Sequence, residues 1–453
     1  MALAESVASR LRGADFSRWM SGTARVGFCS NPVRLVGSSM TMDAPTGVVL
    51  GEHSAAAQPD GVTYVRCGNR RARRCESCSH EYKGDTWHMI MAGAAGGLKD
   101  VPETVAGHPM VFLTLTAPSF GAVHSTVSSS RHGFCPHGRP RGCACGHEAD
   151  DPVLGEPVCA DCYDYVGHVV WQYHALELWR RFTIQLKRDL ARELGLTQRA
   201  AGERIRVQFA KVAEFQRRGA VHFHAIVRLD GVSETNSFPS PPGEAGEAQL
   251  IAAIRSAARA VSLEAPLVSG EQTRRILRWG VQLDVRSIVR RDGLDGTLSD
   301  RAVAAYIAKY ATKATEDLEG GAGGRTHIRQ IKATAELLAE EGAADGAYAL
   351  LGKWTHMLGF RGHFSSKSRR YSVTLGSLRG ARKAWRLDKI AERAKGEGIE
   401  VEEVLVIGAW SFAGMGWLNE GDRALAIEAA RAAREWRDAQ RVRFTETEGE
   451  KNA

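Results

Sequence analysis

Hydrophobic and polar positions change period several times along the chain, and each change marks an element. Met110 to Thr116 is an unbroken β-branched and apolar run stopped by Ala117-Pro118, which predicts a strand. From about Gly167 to Leu194, Trp179, Leu186 and Leu190 recur at helical spacing, while Arg180, Arg181, Lys187 and Arg188 decorate another face. Two strand-like runs follow, Ile205 to Gln216 and Ala220 to Leu229, flanking Arg217, Arg218 and Gly219. After a Pro/Gly-rich loop from Ser233 to Glu247, Ala248 to Leu263 reads as a helix and Trp279 to Val289 as an alternating strand. Ser299 and Asp300 are candidate caps for the helix RAVAAYIAKYATKATE, whose stripe Val303, Ile307, Ala311 and Ala314 would pack on a sheet. Arg325 to Leu351 is expected to be helical, as is Asp422 to Arg441, with Leu425, Ala429, Ala432 and Trp436 on one stripe.

The central order is strand, helix, strand, strand, helix, strand. That is the ferredoxin-like pattern of the α+β class, an antiparallel sheet backed by helices. Within it the hairpin is the most informative stretch. A three-residue loop, Arg217-Arg218-Gly219, ends in a glycine that can take the left-handed conformation at little steric cost. Gln216 then faces Ala220, Glu214 faces His222 and Val212 faces His224. Opposed residues share a face, as do residues two apart on one strand, so Glu214, His222 and His224 converge. A carboxylate and two imidazoles on a rigid hairpin suit a divalent cation with positions left open for water and substrate.

Composition adds limits. The 453 residues are 43% hydrophobic and 25% charged, as in an ordinary globular protein with room for two or three domains. The formal net charge of +8 comes mostly from arginine, which favours phosphate recognition. The N-terminus does not resemble a signal peptide and no run of 18 apolar residues occurs, so a cytoplasmic protein without membrane attachment is expected. In a reducing compartment the nine cysteines read as metal ligands or buried thiols.

These cysteines fall into two groups, which predict two structural Zn2+ sites. Cys29, Cys67, Cys75 and Cys78 would close a tetrahedral site, anchored by the Cys75-x-x-Cys78 pair. In the second segment Cys159-x-x-Cys162 is the firm half, and the other ligands come from Cys135, Cys143, Cys145 or His147, with His137 nearby. We divide the chain into an N-terminal Cys-rich region (1–105), a central domain (106–320) with a zinc-stapled insertion at about 131–165, and a basic, mainly helical C-terminal region (321–453).

Two further stretches carry candidate chemistry. Tyr306 and Tyr310 lie four apart on the capped helix, beside Lys309 and Lys313. Lys353 to Arg386 holds nine Lys or Arg and no acid, with Trp354, Phe360, Phe364, Tyr371 and Trp385 interleaved. Cations that neutralise phosphates and rings that stack on unpaired bases make this the best nucleic-acid-binding stretch, with Arg361, Lys367, Arg369 and Arg370 as contacts. Arg217 and Arg218 at the hairpin tip are further candidates for the DNA backbone.

FLTLT at Phe112 to Thr116, EFQRRGAVHFHAIV from Glu214 to Val227 and YIAKYATK from Tyr306 to Lys313 resemble, in order and character, the three motifs of HUH endonucleases. The resemblance is closest to rolling-circle replication initiators of actinobacterial plasmids. It implies a sheet with the His pair on a central strand and Mg2+ or Mn2+ held by His222, His224 and Glu214. It also implies tyrosine attack on one strand of plasmid origin DNA, presented single-stranded or as a hairpin. The tyrosine becomes joined to the 5′ phosphate and the freed 3′ hydroxyl primes synthesis by a host polymerase. By position Tyr310 matches the nucleophile of one-tyrosine initiators, and Tyr306 the partner in two-tyrosine ones. Relaxases and single-strand transposases share this chemistry; a zinc-stabilised DNA-binding protein is the non-enzyme alternative. No G-x-x-x-x-G-K-[ST] stretch is present, so unwinding would fall to a host helicase.

Overall fold

A computed structural model describes residues 3–129, 133–235, 237–289, 298–299, 303–306, 308, 326–343 and 345–451. The chain divides into two units, one formed by Met1–Asp85 with Thr374–Ala453 and the other by Thr86–Val373. Among the described residues no helix is long and apolar enough to cross a membrane.

In the first unit, helices α1 (Leu3–Arg12) and α2 (Phe16–Arg25) precede strands β1 (Val33–Asp43), β2 (Val49–Ser54) and β3 (Thr63–Val65). Helix α3 (Glu76–Ala94) begins in this unit and runs on into the second. The last strand of the chain, β12 (Val404–Met415), pairs antiparallel with β1 along its length, from Val33 opposite Met415 to Asp43 opposite Val404. Gly37 permits this close approach, since a Cβ there would meet the Ala409 carbonyl oxygen at 2.0 Å. Trp19 and Trp417 form a small core with Tyr64, and Arg10 bridges Asp60 and Asp422 beside it.

The second unit is built on a six-stranded sheet. Its strands are β4 (Met110–Leu115), β5 (Ile205–Phe215), β6 (Val221–Gly231), β9 (Leu283–Val289), β10 (Leu298–Ser299) and β11 (Ser365–Lys367). They lie in the order β10-β9-β4-β6-β5-β11, antiparallel throughout except for the β9–β10 pair. Strand β6 therefore sits in the middle with β4 and β5 as neighbours. A small separate ribbon joins β7 (Ser262–Glu264) and β8 (Ile276–Arg278).

Helix α4 (Tyr165–Glu193) returns the chain from β4 to β5, and α6 (Glu247–Ala260) from β6 towards β9. The Asp164 carboxylate accepts a hydrogen bond from the Gly167 amide and starts α4. Trp171, Leu178, Phe182 and Leu186 of α4 and Ile254 and Ala257 of α6 are buried with Phe223, Ala225 and Val227 of β6. Each large side chain so buried contributes about 1.5–3 kcal/mol. One face of β6 is thus fixed against helices, and the alternate positions, His222 and His224, must face the other way.

Candidate active site

The hairpin between β5 and β6 has the register that its sequence predicts. Glu214 pairs with His222 and Val212 with His224, and the Gln216 amide donates to the Ala220 carbonyl across the loop. Gly219 takes the left-handed conformation, with φ of 78°.

Three donor atoms meet on the face away from α4. Glu214 Oε2 lies 3.0 Å from His222 Nε2 and 3.1 Å from His224 Nε2, and the two Nε2 atoms are 3.2 Å apart. Metal–ligand bonds of about 2.1 Å at right angles put neighbouring donors about 3.0 Å apart, so this triangle matches one face of an octahedron. One carboxylate and two imidazoles at this spacing can hold a divalent ion and would leave its opposite face open.

The surroundings keep these donors ready. The Thr114 hydroxyl on β4 is 3.0 Å from His224 Nδ1, so the ring nitrogen that points away from the triangle has a fixed partner. The Phe112 ring stacks on His224 at 5.6 Å, nearly parallel. Burial pushes the His224 imidazole below its ordinary pKa, against the neighbouring Glu214 carboxylate, which raises it. Burial works the other way on Glu214, but hydrogen bonds from His222 and His224 outweigh it and hold the carboxyl down at about 2.

A short helical stretch at 303–306 and 308 lies over this triangle, with Val303, Ala304 and Ala308 buried beneath it. Tyr306 points its phenol oxygen to within 3.2 Å of His224 Nε2 and 3.4 Å of Glu214 Oε2. Lys309, Tyr310 and Lys313 lie outside the described residues.

The cysteine clusters are partly as expected. Cys29, Cys67, Cys75 and Cys78 come together, with Cys29 Sγ 3.6 Å from Cys75 Sγ and 3.7 Å from Cys78 Sγ. Thiolates about 2.3 Å from a tetrahedral Zn2+ stand about 3.8 Å apart, so the spacing suits that ion. In the second segment Cys159 and Cys162 join Cys135 and His137. His137 Nδ1 is 3.3 Å from Cys162 Sγ and 3.6 Å from Cys159 Sγ. Cys143 and His147 stand in a different group, with His124, and Cys145 is exposed and in neither. The Cys135-x-His137 spacing was the signal for the fourth donor; nothing in spacing marked His124.

The basic candidates also separate. Arg217 is exposed but its guanidinium donates to the carbonyls of Ala149 and Asp151. Arg218 donates to the Ala117 and Pro118 carbonyls and to Gln216, so its side chain clamps the hairpin to the end of β4 rather than facing outward. Lys367 likewise donates to the carbonyls of Ser368, Arg369 and Ser372, whereas Arg369 and Arg370 are exposed. Arg361 is exposed and stacks over the Tyr173 ring at 4.4 Å. Of the interleaved rings, Phe360, Phe364 and Tyr371 are core, while Trp385 is 61% exposed.

Comparison with known proteins adds the family. The family model RepSA, described as the replication initiator protein of pSAM2, matches residues 15–431. The chain belongs to this replication initiator family. A replication initiator protein of Streptomyces ambofaciens is 42% identical over 434 residues, which cover 92% of this chain and 90% of that relative. No solved structure matches the chain. The span matched to the initiator family holds the Glu214–His222–His224 triangle, Tyr306, and every cysteine cluster described above. Initiation of replication implies binding of origin DNA, and the exposed arginines at 361, 369 and 370 lie within the same span.

Proposed function

We propose that this replication initiator is an HUH endonuclease that nicks one strand of its plasmid origin through a tyrosine and later rejoins it. The observation that carries the reading is the Tyr306 phenol oxygen, 3.2 Å from His224 Nε2, above three donors spaced for one divalent ion. The sheet supports it: β6, with the His pair, lies between β4 and β5, and β9 flanks β4, which is the ferredoxin-like order.

A phenol with pKa about 10 is less than about one percent ionised at neutral pH and needs help to attack. Glu214, His222 and His224 would hold Mg2+ or Mn2+, which would supply charge stabilisation on the scissile phosphate. The residues do the rest. Thr114 gives His224 Nδ1 a fixed partner, and the hairpin holds Glu214 and His222 in register. In this reading the Tyr306 oxygen attacks phosphorus and gives up its proton to water. The bond from phosphorus to the 3′ oxygen breaks, that oxygen takes up a proton, and a 5′ phosphotyrosine and a free 3′ hydroxyl result. Tyr310, four residues on in the sequence, is the second candidate nucleophile, with Lys309 and Lys313 favouring the phenolate.

The clusters Cys29–Cys67–Cys75–Cys78 and Cys135–His137–Cys159–Cys162 are read as structural Zn2+ sites, since four protein donors close the coordination shell. A labelled single strand carrying the origin, incubated with wild type, Tyr306→Phe and Tyr310→Phe and run on a denaturing gel, tests the assignment. Loss of the covalent adduct in Tyr306→Phe alone supports Tyr306; an undiminished adduct in both variants contradicts it.

A further inference from the structure

His124, Cys143 and His147 belong to neither cluster that four donors close. His124 Nδ1 is 3.0 Å from His147 Nε2, and Cys143 Sγ is 3.5 Å from His124 Nδ1. All three donor atoms lie within 4.8 Å of one another. The three side chains come from two separate stretches of chain, so the convergence is tertiary and not a by-product of local sequence. Two features mark the group as a built site. The second ring nitrogen of His147, Nδ1, is 2.8 Å from Asp151 Oδ2, and Asp151 is itself fixed by the Val153 amide on its other oxygen, 2.9 Å away. A carboxylate behind a histidine in this way sets the tautomer, aims the free nitrogen at the ion and raises its basicity. Cys143 is buried, with its sulfur also 3.1 Å from the Cys145 carbonyl.

We propose that His124, Cys143 and His147 bind a third Zn2+ ion. Two imidazoles and one thiolate suit a borderline-soft tetrahedral ion, and reject Mg2+ and Ca2+, which take oxygen donors. The group has three members among the described residues. His124 also lines a cavity of about 630 Å3, through which an ion can reach the site.

Position gives the ion a task. The loop carrying His147 is clipped to the segment after β4 by the His147 amide on the Ser125 carbonyl, and that of Cys143 by its carbonyl, which accepts from the Ser129 amide. The same loop offers the Ala149 and Asp151 carbonyls to Arg217 at the hairpin tip. The ion would tie the segment after β4 to the loop that holds the hairpin, and so brace Glu214 and His222 from behind. This site does not depend on the nicking reading.

Metal analysis of the full chain tests it, in a His222→Ala/His224→Ala background that empties the triangle on β5 and β6. Three zinc ions per chain are expected in that background, falling to two when Cys143→Ser or His124→Ala is added and staying at three with Cys145→Ser. Asp151→Asn should keep three but release one of them to a competing chelator about 10- to 100-fold more readily. Two zinc ions in the parent background, a count that needs no further variant to fold, would overturn the proposal. So would a count unchanged by both Cys143→Ser and His124→Ala.

Discussion

The Thr114 hydroxyl stands 3.0 Å from His224 Nδ1, across the β4–β6 pair in which these two residues are directly opposed. A strand pairing thereby gives the second ring nitrogen of His224 a fixed partner. Thr114→Val keeps the shape and the β-branch but removes the hydroxyl, so His224 Nδ1 loses the partner that orients the ring towards an ion on Nε2. Metal affinity should fall about 10- to 100-fold, with folding retained. The check is the Mn2+ concentration needed for half-maximal strand cleavage, with a circular dichroism spectrum as control.

Lys211 gives a pH-dependent prediction. It projects from β5 into the helix-covered core, 1% exposed, with Nζ 4.1 Å from the Phe223 ring centroid and no hydrogen-bond partner among the described residues. Burial pushes its pKa down to about 7. The folded state then binds this proton more weakly than the unfolded state, so the cost of burial is absent above the unfolded value of about 10.4. It grows as pH falls and is complete below about 7. Lys211→Met should raise stability by a few kcal/mol, on the order of 2–4, at pH 6, and by little at pH 10. Denaturant melts of both proteins at the two pH values measure the gap; an equal gap at both would contradict the assignment.

A second buried charge behaves oppositely because it is paired. Arg228 is fully buried, and its guanidinium makes two 2.7 Å hydrogen bonds to the Asp230 carboxylate, which also lies 2.8 Å from His108 Nδ1. Asp230→Ala leaves the cation without its counter-ion and should cost about 3–5 kcal/mol. Replacing Arg228 by Met in the same protein should recover part of that loss, as a double-mutant cycle by urea unfolding will register.

For DNA, the exposed Arg369 and Arg370 differ from the neighbouring Lys367, whose ammonium is committed to carbonyls. Arg369→Ala and Arg370→Ala should each weaken origin binding and lower the slope of log affinity against log salt by about 1. Lys367→Ala should leave the slope unchanged. Fluorescence anisotropy across a salt series separates the two outcomes.

How much of this was legible in the sequence follows from the range of the interactions. The hairpin was readable to the residue, because a three-residue loop with glycine last fixes a register, and a register fixes which side chains meet. The six elements of the central order were readable from period alone. The β1–β12 pairing was not: Val404 to Met415 is a mostly apolar run that names no partner, and the partner lies near the other end of the chain. The cysteine clusters fall between these cases. Cys-x-x-Cys pairs announce half a site locally, but the remaining donors are chosen by tertiary packing, which drew in His137, sent Cys143 and His147 to His124, and left Cys145 exposed. The basic residues show the same limit, since charge in a sequence does not reveal that Arg218 and Lys367 turn inward to carbonyls.

The most direct test of the account is covalent capture of origin DNA by wild type and His224→Ala. Each is incubated with a labelled single strand of the origin and Mn2+, with and without chelator, and resolved on a denaturing gel. The account predicts a chelator-sensitive protein–DNA adduct for wild type, and none for His224→Ala, which still binds the strand. An adduct formed equally well by His224→Ala, or by wild type in excess chelator, would contradict it.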